Sequence, residues 1–99
     1  MTEKLERLVA AGIELVPAPG ITTHFIFQRD GFAALVERRG DGFGSIGAAG
    51  LLTEQAGLAP LVWRGEDAYF VGRGFEQPAT SEEAMRLRSF SQDLSGALA

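Results

Sequence analysis

Apolar and polar residues alternate with a period of two in two stretches of this chain, and a two-residue turn interrupts each. Residues 22–29 and 32–39 flank Asp30-Gly31, the dipeptide that most favours a tight hairpin turn. A two-residue loop fixes the register. Phe25 pairs with Val36, Phe27 with Ala34 and Arg29 with Phe32 on one face; His24 pairs with Glu37, Ile26 with Leu35 and Gln28 with Ala33 on the other. The first face stacks aromatic residues on small or branched partners and is assigned to the core. Residues 59–64 and 67–73 repeat the arrangement around Gly65-Glu66, where a leading glycine suits a type II′ turn. Here Leu61 faces Phe70 and Trp63 faces Ala68, with Val62 facing Tyr69 and Arg64 facing Asp67 on the opposite side.

Helical periodicity marks the two ends. Leu5, Leu8 and Val9 recur at helical spacing within residues 3–11, with Thr2 as a cap, Glu3 and Arg7 as an i,i+4 pair and Gly12 as a left-handed stop. Ile13 then folds back on Leu8 and begins a brief strand over 13–16, closed by Pro17-Ala18-Pro19-Gly20. Near the other end, Thr80-Ser81-Glu82-Glu83 has the spacing of a capping box. Ala84, Leu87, Phe90 or Ser91, and Leu94 form the apolar stripe of a helix reaching about Ser95, with Gly96 as its stop and a frayed tail behind it.

Between the hairpins lies a run from Gly40 to Gly50 with five glycines, taken as a flexible connector. Residues 51–55 fit a strand or a short helical turn equally, and residues 74–79 are taken as a connecting loop. The fold class that follows is α+β: one antiparallel sheet of four to five strands, a short N-terminal helix, and a longer C-terminal helix on one face. With 99 residues the chain makes one domain, residues 1–99, long enough to bury a core.

Composition narrows the function classes. The net charge of -4 argues against non-specific nucleic-acid binding, which needs excess positive charge. No apolar run spans a bilayer and the N-terminus lacks a signal-peptide layout, so no membrane partner is expected and the cytoplasm is the expected location. There is no cysteine and one histidine, so neither a metal site nor a cofactor is expected.

Candidate chemistry is sparse. Gly42-Phe43-Gly44-Ser45-Ile46-Gly47 spells G-x-G-x-x-G, but Gly50 opposes the long helix that a dinucleotide site needs next. His24 lies across from Glu37, a pair capable of general acid–base work, although no nucleophile accompanies it and a structural cross-strand pair explains both residues. Arg38, Arg39 and Arg73 end strands and would form an anion site if the hairpins ran in the same sense. Trp63 and Tyr69 are candidate interface aromatics, with core packing as the plainer account.

Both faces of the predicted sheet are apolar, and a helix of about ten residues is ~15 Å long, too short to cover the second. The expectation is therefore a non-enzymatic interaction module that forms a homodimer through its sheet. The alternative is a small ligand-binding or enzymatic domain with a pocket around His24 and Glu37.

Overall fold

The computed structural model describes residues 2–17, 20, 22–40, 42–53 and 57–99. The chain is α+β, with element order α1 (Thr2–Ala10), β1 (Glu14–Val16), β2 (His24–Arg29), β3 (Phe32–Arg39), β4 (Gly42–Thr53), β5 (Gly57–Arg64), β6 (Asp67–Gly72), β7 (Phe75–Pro78) and α2 (Ser81–Leu98). The strands form one antiparallel meander in which each pairs with its neighbour in sequence. Seven strands replace the expected four to five, and two of the additions come from segments taken as connectors.

The larger correction is the glycine-rich run, which is not a flexible bridge but β4, a 12-residue strand between β3 and β5. Its apolar residues Phe43, Ile46 and Ala49 are three apart, which a regular strand of period two would scatter over both faces. Two β-bulges remove the difficulty. From Ala34 to Val36 and again from Val36 to Arg38, two steps on β3 are matched by three on β4. Phe43, Ile46 and Ala49 thereby join the same core as Leu51. The second correction is β7, which follows Arg73-Gly74 as another tight turn, with Gly74 at φ +67°.

Both expected hairpins have the register read from the sequence, pair for pair. Asp30 and Gly31 both have positive φ (54° and 86°), the signature of a type I′ turn. Strand β5 divides its pairing, with Gly57 to Pro60 against β4 and Leu61 to Arg64 against β6. The backbones of β4 and β5 leave no room for a side chain at this change-over. A Cβ built on Gly50 would overlap the Ala59 carbonyl oxygen and lie 2.6 Å from the Pro60 Cα.

Helix α1 ends in a Schellman motif: the Ile13 amide donates to Leu8 O (2.9 Å) and the Gly12 amide to Val9 O (3.0 Å), with Gly12 at φ +74°. Leu8 and Ile13 are both buried, so the fold-back contact is also present. The capping expected of Thr2 lies outside the described residues, as do Glu54 and Gln55. Helix α2 opens with the complete capping box: Thr80 Oγ1 accepts from the Glu83 amide (3.1 Å) and Glu83 Oε1 from the Thr80 amide (2.9 Å). It does not stop at Gly96 but continues to Leu98, because Ala97 and Leu98 pack on the core.

The core is one-sided. Phe27, Phe32, Ala34, Val36, Ala59 and Phe70 from one sheet face join Leu8 of α1 and Leu87, Phe90, Leu94 and Ala97 of α2. Arg29 ties these parts together. Its guanidinium donates to Ala11 O (2.9 Å) and Asp93 Oδ2 (2.8 Å) and lies 5.6 Å from the Phe90 ring centre.

Candidate interaction surface

Strand alternation places a second apolar set on the face away from the helices. The ladder register aligns Val16, Ile26 and Leu35 on one side, then Leu52 with Leu58, and Val62 with Tyr69, with Val71 following on β6. None of these residues belongs to the core shared with α1 and α2. All are half-buried or exposed, and the only buried residues the register places among them are Ala33 and Gly50, which carry little or no side chain. Two cations at the margins are paired within the chain, Arg39 with Glu37 (3.0 Å) and Arg64 with Glu76, whereas Glu14 and Asp67 on the same face are exposed and belong to neither pair. The surface is an apolar sheet face with a charged margin.

His24 and Glu37 are directly across from one another, as the turn dictates, but their side chains have other partners. His24 Nδ1 bonds Thr23 Oγ1 (2.9 Å), and Glu37 Oε1 accepts from Arg39 Nη2 (3.0 Å) and Nε (3.3 Å). His24 is exposed and lines a 130 Å³ hollow with Leu15, Pro17, Phe25 and Arg38. No group of three or more His, Cys, Asp or Glu side chains able to hold a metal occurs among the described residues.

The meander separates the three arginines proposed as an anion site. Arg38 and Arg39 end β3, whereas Arg73 follows β6, which runs antiparallel to β5 and therefore antiparallel to β3. The expected triad assumed two hairpins in the same sense. Inserting β4 reverses the order of strand directions and sends Arg73 to the opposite end. Arg38 instead lies 5.5 Å from the Phe25 ring centre, above a cluster in which Phe43 meets Phe25 and Phe27 edge-on at 5.1 and 5.7 Å.

Trp63 and Tyr69 fall on opposite faces. Tyr69 is half-buried on the open face, with Arg64 5.0 Å from its ring centre. Trp63 is on the helix side, yet 61% exposed, at the rim of a groove between β4, β5 and α2. That groove escaped sequence reading because its walls come from Ala49, Leu61 and Ala84, residues that read as ordinary core. The sequence signal was Trp63 itself, placed beyond the last core position of its strand.

No helix among the described residues is long and apolar enough to cross a membrane. No protein-family model, curated protein or solved structure matches the chain.

Proposed function

We propose that this chain is a non-enzymatic interaction module that self-associates through the open face of its sheet. One observation carries the reading: both helices pack on the same face, while Val16, Ile26, Leu35, Leu52, Leu58, Val62, Tyr69 and Val71 line the other. A contiguous apolar patch on a small domain is a solubility liability unless it is an interface. A twofold pairing of identical faces is the commonest way to cover such a patch, and it places the same apolar strip against itself.

Sedimentation equilibrium at micromolar concentration tests the proposal. The expected mass is twice the 10.6 kDa of the chain. A monomer across the concentration range overturns self-association.

A further inference from the structure

We infer that the groove between α2 and the β4–β5 strands is a binding site for a compact apolar monocarboxylate, a small acid with a short alkyl or aryl body. The groove holds about 370 Å³ and is lined by Ala49, Leu61, Trp63, Ala84, Leu87 and Arg88, with Ser91 beside them. Two alanines face each other across it, Ala49 from the sheet and Ala84 from the helix. Their short side chains leave space between the helix and the strands that larger residues would fill. Leu61 and Leu87 supply apolar walls.

Trp63 stands at the rim with 61% of its surface exposed, a large flat side chain that the protein's own core leaves uncovered. Arg88 supplies the polar element. Of the neighbouring arginines, Arg86 is held by Glu82 (2.6 Å) and Arg64 by Glu76. Arg88 has no ion pair or hydrogen bond among the described residues, in a chain that carries net negative charge overall. Its guanidinium is thus available for bidentate capture of a carboxylate.

An apolar hollow with few polar groups at its margin is the general form of a small-ligand site. The volume lies at the small end of such sites, which run from ~300 to ~1,000 Å³, and so selects a compact body. Arg88, the one cation among the residues lining the groove, selects one negative charge. The groove is on the helix-covered side, away from the face assigned to self-association, so this site and the dimer stand or fall separately.

Trp63 is the only tryptophan, so its emission reports the groove directly. Octanoate, 1-octanol and octylamine would be titrated at constant ionic strength. The expected result is a saturable blue shift with octanoate, with affinity on the order of 5-fold above that for octanol and further above octylamine. Arg88→Gln should bring octanoate down to the level of octanol and leave octanol unchanged. Ala84→Leu, which fills the gap, should abolish both responses, and circular dichroism would confirm that the helix is retained. Because Arg88 is exposed, its variant tests the site even if Ala84→Leu fails to fold. Absence of a saturable response to octanoate, equal affinity for octanoate and octanol, or an undiminished response in Arg88→Gln overturns the assignment. So does a response to acetyl-Glu-Leu-Leu-amide without one to octanoate, which would make the groove a peptide site.

Discussion

The two faces of the sheet are built from the same strands by the same alternation, yet they end in different environments. Phe27, Val36 and Phe70 are buried to 1% or less under two helices. Ile26 and Leu35, one residue away on the same strands, remain half-buried. Hydrophobicity does not separate the sets, since isoleucine, leucine, valine and tyrosine occur on the open face. What separates them is helix supply. One long helix and one short one cover a single face, and Arg29 fixes both to it through Ala11 and Asp93. The contrast teaches that an apolar face can be left without helix cover by topology alone, without any exceptional residue marking it.

The comparison breaks most visibly at Phe70. Its side chain is fully buried and lies 6.0 Å, ring centre to ring centre, from Phe32. Phe70→Ala should lower unfolding free energy by about 3–5 kcal/mol, combining lost transfer energy with a residual cavity. That is a large share of the ~5–15 kcal/mol typical of a domain. Urea denaturation at fixed protein concentration checks it. A loss below about 1 kcal/mol would mean that the helix-covered face is not the principal core.

A second substitution sharpens the contrast by showing that an open face is not uniformly tolerant. Gly50 aligns with Ala33 and Pro60 on the open side, but a methyl there meets the backbone of Ala59 and Pro60. Backbone cannot swing aside as a side chain can, so Gly50→Ala should cost at the upper end of the ~1–3 kcal/mol range for overpacking. Gly47, on the same strand, is the control. The nearest atom to a Cβ there is Leu35 O at 3.6 Å, an ordinary contact, and its φ lies outside the left-handed region. Gly47→Ala should be neutral or stabilise by up to ~1 kcal/mol through the unfolded chain. Equal effects at the two glycines in thermal unfolding would remove the close approach as the reason for Gly50.

Two other glycines, Gly31 and Gly65, explain what was legible in the sequence. Asp30-Gly31 and Gly65-Glu66 lie between clean period-two patterns, and a two-residue turn leaves no freedom in register, so both hairpins were readable to the residue. The capping box at Thr80 and the Schellman stop at Gly12 were readable for a similar reason, being local chemistry. Strand β4 was not. Its glycines signal a loop, and its apolar residues fall three apart because two bulges shift the register. Bulges are set by the partner strand, which local pattern does not reveal. The misplacement of Arg73 followed from the same missing strand, while Ala84 read only as part of the apolar stripe of its helix and Arg88 carried no mark of a site. Chemistry that depends on one strand's direction is lost with that strand; chemistry held within one turn is not.

The smallest loss of stability, and the one that most directly separates the faces, is expected at Leu35. It lies opposite Ile26 on the open face and is half-buried in the single chain. In Leu35→Lys the aliphatic stem can lie along Ile26 while the ammonium reaches water, with Glu37 two residues away on the same face. The folded monomer should therefore lose only about 1 kcal/mol, since little of the side chain's burial is given up. In a face-to-face dimer the ammonium would be enclosed without a guaranteed partner, and burying an unpaired charge is costly. The thermal midpoint of the unmodified protein should rise with protein concentration, because association stabilises the folded state by mass action. The midpoint of Leu35→Lys should be independent of concentration and should meet the unmodified value, within the small monomer loss, at high dilution. If the unmodified midpoint is flat with concentration and Leu35→Lys falls as far as Phe70→Ala, Leu35 is already core within one chain. The distinction between a covered and an open face would then be wrong.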